Sequence, residues 1–365
     1  RKVFEKLSPA PDRVVLANAT EPHLDQSFFY LFDVASGLFE GAVAIAGPEG
    51  DLHVLSPALE AESARQSAKN DPHVEIHVFT DLKSREKVLR ELIPEGGTIG
   101  LNERELTVET YRNFQKMFPQ AKWTDASDAL RDTRMIKDAG EIERIERAAQ
   151  VASRAGTDIP SLLKTGMTEM ELAAEIEYRM MRYGASGRSF STIVGFGANS
   201  AEPHYQPQEV RLQPGMSMVC DFGALSRRYC SDITRSFRFG PRDDELKQVH
   251  EKVFEAQEAA LAVLRAGVPG KEVHLAAQKV VDASPWKGRF NHGLGHALGL
   301  AVHDGGIGLS PNNDQPLQAG MVVTVEPGIY LPGHGGVRIE DDVVITESGY
   351  RFLTTTRREY LEVGA

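Results

Sequence analysis

Two pairs of carboxylates stand where a sheet rarely tolerates charge. Glu326 and Glu340 lie in Val, Ile and Thr-rich runs of TVEPGIYLPGHGGVRIEDD, residues 324–342, which read as buried strands. Such runs bury a carboxylate only when something nearby offsets its charge. The two are symmetric about Gly333 in the turn-rich LPGHGG, so a hairpin folded there sets them opposite each other. The segment SMVCDFGALSRRYCSDITRSFRF repeats the device. With its turn centred between Ser226 and Arg227, Asp221 faces Asp232, and Thr234 and Ser236 point the same way by period-two alternation. Side chains so paired lie roughly 4.5–5.5 Å apart at Cβ, and their repulsion grows as the dielectric falls. Arg338, two residues before Glu340, can neutralise one carboxylate but not four. Between the hairpins, NHGLGHALGLAVHDGG supplies His292, His296 and His303.

Four carboxylates and an imidazole are a hard donor set that suits Mn²⁺, Co²⁺ or Zn²⁺, and no thiolate cluster competes. Five ligands exceed what one catalytic zinc takes. They suit two ions about 3.5–4 Å apart that share carboxylates, activate water and polarise a carbonyl. The expectation is a dinuclear metal centre. His292 and His296 have the i, i+4 spacing of a helical zinc pair, but Gly293 and Gly295 disfavour a helix and no HExxH glutamate is present. Gly293, Gly295 and Gly299 miss the dinucleotide GxGxxG spacing by one residue.

These side chains need elements to hold them. A chain of 365 residues is long for one core, so two domains are the expectation. The net charge of −11 argues against a nucleic-acid or anionic-membrane binder. Two cysteines, Cys220 and Cys230, argue against a disulfide framework and fit a reducing compartment. No leader-like stretch opens the sequence, and no apolar run approaches the ~20 residues of a membrane span. A cytoplasmic location is expected. The first ~130 residues alternate strand and helix signals as an α/β domain does. GAVAIAGPEGDLHVLS reads as a hairpin turning at Gly47–Asp51. A long helix begins near Asp138, which with Glu141 makes a capping box, and carries the stripe Ile142, Ile145, Ala149, Ala152. LLKTGMTEMELAAEI from Leu162 is echoed by VLRAGVPGKEVHLAAQKV from Val263. Each leads into a β-rich segment with two carboxylates, as two related halves facing a shared centre would.

CDFGALSRRYCSDITRSF, HGLGHALGLAVHD, VEPGIY and GVRIEDD resemble the signature segments of the pita-bread metallopeptidases, over roughly Met135 to Phe352. That superfamily holds methionine aminopeptidase, aminopeptidase P, prolidase and the metal-free creatinase. EPHLDQSFFYLFDVASGLFEGAVAIAGPEG resembles the creatinase/prolidase N-terminal domain. The resemblance implies an α/β (α+β) chain. It would have a creatinase/prolidase-like N-terminal α/β domain over residues 1–130 and a pita-bread catalytic domain over 131–365. It implies two divalent ions, Mn most of all with Co or Zn as alternatives, held by Asp221, Asp232, His296, Glu326 and Glu340. Asp232 and Glu340 would bridge, and Glu326 would double as general base. His204 and His303 match catalytic positions that stabilise the tetrahedral intermediate or orient substrate, and His292, Arg338 and Tyr330 match substrate-binding positions. Read singly, a strand Asp is an edge residue and each of these histidines a core residue; the complete set outweighs that reading.

The N-terminal domain separates the chain from methionine aminopeptidases, and the intact ligand set from creatinase. Prolidases commonly carry an Arg four residues after the His of VHE, to bind the dipeptide carboxylate; here VHDGGIG places Ile307 there. The expectation is therefore an Xaa-Pro aminopeptidase acting on peptides with proline second, with Xaa-Pro dipeptidase as the alternative. A non-catalytic peptide-binding module is the alternative of another class, and the full ligand set argues against it. The resemblance also implies a homodimer.

Overall fold

The computed structural model describes residues 1–241, 244–306, 308–359 and 361–364, so Ile307 lies outside the described residues. The chain divides into two compact units, Arg1–Arg134 and Met135–Ala365.

In the first unit, α1 (Lys2–Glu5), β1 (Arg13–Ala17), α2 (Gln26–Phe32), β2 (Val43–Ala46) and β3 (Leu52–Pro57) are followed by alternating helices and strands. These are α3 (Ala61–Ala68), β4 (Val74–Phe79), α4 (Leu82–Leu92), β5 (Thr98–Leu101), α5 (Val108–Met117), β6 (Lys122–Asp125) and α6 (Ser127–Met135). The strands make one sheet in the order β4-β3-β2-β1-β5-β6. The expected hairpin is β2–β3, antiparallel and closed where Gly47 N–H donates to Asp51 O at 2.8 Å. Alternation divides β1 between two cores. Val14 and Leu16 join Phe28, Phe32 and Phe39, while Val15 and Ala17 join Leu89, Ile99 and Phe114. Fully buried side chains of this size each contribute roughly 1.5–3 kcal/mol.

The second unit is built as two similar halves. The first half has α7 (Ala139–Leu162), α8 (Glu169–Arg182), β7 (Gly187–Arg188), β8 (Ile193–Phe196), β9 (Ser217–Phe222), β10 (Ala224–Ser226), β11 (Tyr229–Cys230) and β12 (Ile233–Phe239). The second has α9 (Asp244–Val263), α10 (Gly270–Asp282), β13 (Gly295–His296), β14 (Gly308–Leu309), β15 (Val322–Val325), β16 (Gly328–Leu331), β17 (Gly335–Arg338) and β18 (Asp341–Ile345). Short strands β19 (Tyr350–Phe352) and β20 (Leu361–Val363) follow. The capping box reads as expected: Asp138 accepts from Glu141 N–H and Glu141 from Asp138 N–H, and the same reciprocal pair, Thr168 and Glu171, opens α8. Ile145, Ala149 and Ala152 of the stripe are fully buried, whereas Ile142 is half-buried. The internal echo falls on equivalent places. Gly166 and Gly267, at φ +83° and +84°, turn the chain into α8 and α10. Each helix pair then covers an antiparallel sheet, one core running from Ala152 through Ile176 to Phe222, the other from Val253 through Val273 to Val325.

The first hairpin differs from its expected register. Its turn is at Arg227 and Arg228, with φ of +47° and +73°, rather than between Ser226 and Arg227. Two left-handed residues make the twist-matched two-residue hairpin loop. Asp221 is therefore paired with Thr234, not with Asp232. The slip is two residues, so every side chain keeps its face. The second hairpin has the register that symmetry about Gly333 requires, with Thr324 opposite Asp342 and Gly328 opposite Arg338. Glu326 and Glu340 fall in the gap between its two paired stretches. Cys220 and Cys230 are free, buried thiols, both pushed up in pKa by burial.

Candidate metal centre

The two hairpins meet through β12. Glu340 N–H donates to Thr234 O at 3.1 Å, and the Ser236 hydroxyl bridges Arg338 O and Arg338 N–H at 3.0 Å each. Behind them, Arg235 donates from Nη1 to Glu340 O and from Nη2 to Asp341 Oδ1, both at 2.6 Å. Gln257 on α9 donates to Asp341 Oδ2 and Val325 O at 3.0 Å. These bonds fix Glu340 from the backbone outwards. His296 arrives by close packing of β13 against β15. A Cβ on Gly295 would stand 2.0 Å from Thr324 O, so only glycine allows that approach.

Asp221, Asp232, His292, His296, His303, His204, Glu326, Arg338 and Glu340 all line one cavity of about 810 Å³. Donor atoms of Asp232, His296 and Glu340 lie within 4.8 Å of one another. His296 Nε2 is 3.5 Å from both Asp232 Oδ2 and Glu326 Oε1. Its Nδ1 faces Ala297 O at 3.3 Å, which as a carbonyl can only accept, so Nε2 is left as the lone-pair nitrogen aimed at the carboxylates. Thr324 Oγ1 accepts from His296 N–H at 3.1 Å and donates to Glu326 Oε1 at 3.3 Å. Thr234 Oγ1 donates to Glu340 Oε2 at 2.6 Å and accepts from Arg338 Nε at 3.0 Å.

Arg338 is buried, with every nitrogen engaged. Nη2 donates to Asp221 Oδ2 at 2.7 Å and to Pro203 O at 3.4 Å, and Nη1 donates to Tyr330 Oη at 2.9 Å. Tyr330 Oη stands 2.9 Å from His292 Nε2, and His292 Nδ1 stands 2.8 Å from Gly293 O. The chain has one consistent direction: Arg338 to Tyr330, Tyr330 to His292, His292 to the carbonyl. Tyr330 does not itself line the cavity but sits behind His292. His204 and His303 are exposed at the cavity, the His303 ring edge-on to His296 with centroids 4.1 Å apart.

Electrostatics mark this place as one that needs cations. Burial first, then Glu340 and Asp221, hold the Asp232 carboxyl well above its usual range; burial, then Glu326 and Asp221, do the same to Glu340. Glu326 is pushed up to about 8 by burial, against the pull of Arg338. Burial drives His296 down to about 4, keeping it neutral and able to ligate. Asp221 Oδ1 and Asp232 Oδ1 are buried without a hydrogen-bond partner. Acceptor-only oxygens left in this state fit a divalent cation set, which satisfies lone pairs and charge together.

Asp342 belongs to the same region and was not singled out from sequence. It is fully buried, its Oδ2 accepts from Asp232 N–H at 3.0 Å, and its Oδ1 has no partner. The available signal was its place two residues after Glu340 in a strand, on the same face. Phe190, Ile193 and Val302, which add apolar wall to the cavity, carry no such signal.

Metallopeptidase family M24 matches residues 143–347, and the Creatinase/Prolidase N-terminal domain matches residues 23–136. The chain is 36% identical to an Xaa-Pro dipeptidase of Pyrococcus furiosus over 91% of its own length and 92% of that protein. Among solved structures, an X-Pro aminopeptidase from Thermotoga maritima superposes with a TM-score of 0.89 at 34% identity, covering 100% of both chains. An Xaa-Pro dipeptidase from Bacillus anthracis gives 0.89 at 31% identity, covering 99% of this chain and 97% of that one.

Proposed function

The chain belongs to metallopeptidase family M24, in its proline-specific pita-bread branch, and from that premise we propose that it hydrolyses Xaa-Pro peptide bonds. Two divalent cations, manganese first among them, are to be held by Asp221, Asp232, His296, Glu326 and Glu340. The observation that carries this is the convergence of Asp232, His296 and Glu340 beside the unpartnered oxygens of Asp221 and Asp232. Cations bound there supply Lewis-acid polarisation of a carbonyl and acidify water. Asp232 and Glu340, the most deeply buried of the five with Asp221, would hold the cations from the cavity wall. Glu326, steadied by the Thr324 hydroxyl, takes the proton of the attacking water on a carboxylate oxygen. His303 and His204, exposed in the cavity, donate to the oxyanion as the tetrahedral intermediate forms. His292, held by Tyr330 and Arg338, faces the substrate, and Phe190 and Ile193 give the proline ring an apolar wall.

Release of the N-terminal residue from longer Xaa-Pro peptides is supported by the charge inventory. Among the described lining residues Arg338 alone is a fixed cation, and Asp221, Thr234 and Tyr330 occupy it. Ile307 stands at the position of the prolidase arginine. The dipeptidase reading is favoured by the relatives from Pyrococcus furiosus and Bacillus anthracis. Steady-state kcat/KM for an Xaa-Pro dipeptide against an Xaa-Pro-Yaa-Zaa tetrapeptide, with Mn²⁺ present, separates the two. A tetrapeptide preference of tenfold or more is expected. A clear dipeptide preference overturns the aminopeptidase reading, and no turnover of either substrate overturns Xaa-Pro hydrolysis.

A further inference from the structure

A second set of metal-type donors lies far from this chemistry in sequence, on the sheet of the first unit. β3 and β4 run parallel with His53 beside Glu75 and Leu55 beside His77. Alternation therefore brings His53, Glu75 and His77 to one face. Their donor atoms converge. His53 Nδ1 is 3.1 Å from His77 Nε2 and 3.3 Å from Glu75 Oε2, and His77 Nε2 is 3.7 Å from Glu75 Oε1. One donor atom from each lies within 4.8 Å of the others.

Two ligands bound at 2.0–2.1 Å to a tetrahedral ion sit about 3.3 Å apart. The imidazole pair and the nearer carboxylate oxygen already stand close to that spacing. On the other side of His53, Nε2 faces Asp51 Oδ2 at 3.7 Å, longer than a hydrogen bond but near enough for the carboxylate to close on the remaining N–H of a ligating imidazole. Burial lowers the pKa of His77, which favours the neutral ring that a cation requires. The side chains of His53 and His77 are 18% and 21% exposed and that of Glu75 66%, so an ion can enter from solvent.

We propose that His53, Glu75 and His77 form a separate site for a zinc-class transition ion, clipping edge strand β4 to β3. Two imidazoles and one carboxylate select borderline ions such as Zn²⁺, Co²⁺ or Cu²⁺ over Mg²⁺ or Ca²⁺. The test uses the full chain and the metal alone. Equilibrium dialysis against Zn²⁺ is expected to return one more ion per chain for wild type than for the H53A/H77A double variant. Glu75→Gln, the mildest change, is expected to weaken that ion by about tenfold or more. Equal stoichiometry in wild type and the double variant overturns the site. Circular dichroism of each variant checks folding. A Cu²⁺ probe followed by electron paramagnetic resonance gives a readout independent of the variants. Coupling to two imidazole nitrogens supports the site, because the carboxylate centre offers His296 as its one expected imidazole ligand. Coupling to a single nitrogen only overturns it. Hydrolysis of Xaa-Pro substrates by H53A/H77A is expected to match wild type, so loss of this site and failure of the proposed peptidase reading are distinguishable.

Discussion

Thr234 shows how much of the centre rests on a single hydroxyl. It donates to Glu340 and accepts from Arg338, and Arg338 in turn holds Asp221. Val has nearly the same shape but neither bond, so Thr234→Val leaves a buried guanidinium N–H and a buried carboxylate oxygen short of a partner. Each such orphan costs about 1–3 kcal/mol. We expect Thr234→Val to lose about 2 kcal/mol or more of stability in urea unfolding and to weaken Mn²⁺ binding by about tenfold or more. Unchanged affinity in calorimetry would remove Thr234 from the positioning role. From sequence, alternation alone places Thr234 on the acidic face; its two bonds join residues 106 and 104 positions apart in the chain.

At the scale of elements, the site is a matter of register and approach. A slip of two residues in the first hairpin changed Asp221's partner without changing its face, because side chains repeat every second residue along a strand. A slip of one would have turned the acid pair away from the cavity. Approach is as demanding as register: β13 reaches β15 only because Gly295 has no side chain. We expect Gly295→Ala to push β13 outward and carry His296 off the carboxylates, since the clash at 2.0 Å is with backbone and cannot be relieved by a rotamer. Peptidase activity is expected to fall at least about a hundredfold, consistent with the cost of misplacing a reacting group by an ångström. A Gly295→Ala enzyme with wild-type kcat would show that the approach is not needed. The caps and the two-half echo were legible because they are local; the Arg227–Arg228 turn was not, since arginine does not announce a left-handed backbone.

Across the whole chain, charge and stability are linked through the centre. The net charge is −11, and Asp232, Glu340 and Asp342 are buried carboxylates whose ionisation the fold resists. A cation that binds the folded chain and not the unfolded one stabilises by mass action, about 4 kcal/mol at a thousandfold excess over its dissociation constant. Mn²⁺ is therefore expected to raise Tm, and chelation to lower it. Because the chain forms two compact units, the gain is expected to concentrate in Met135–Ala365. Amide hydrogen exchange with and without Mn²⁺ checks this; protection gained only in Arg1–Arg134 would refute it. Among the described residues no helix is long and apolar enough to cross a membrane.

By itself the amino-acid order determined the kinds of donor available, the strands that carry them and the face each strand presents, because alternation and turn chemistry act over a few residues. The symmetric acids around Gly333 were readable in that way. Which carboxylate meets which partner was decided only by tertiary structure. Arg338 settling on Asp221, Asp342 holding the Asp232 amide and His53 meeting His77 each join distant segments. Their distances come from how strands pair and sheets pack, and no local pattern encodes that assembly.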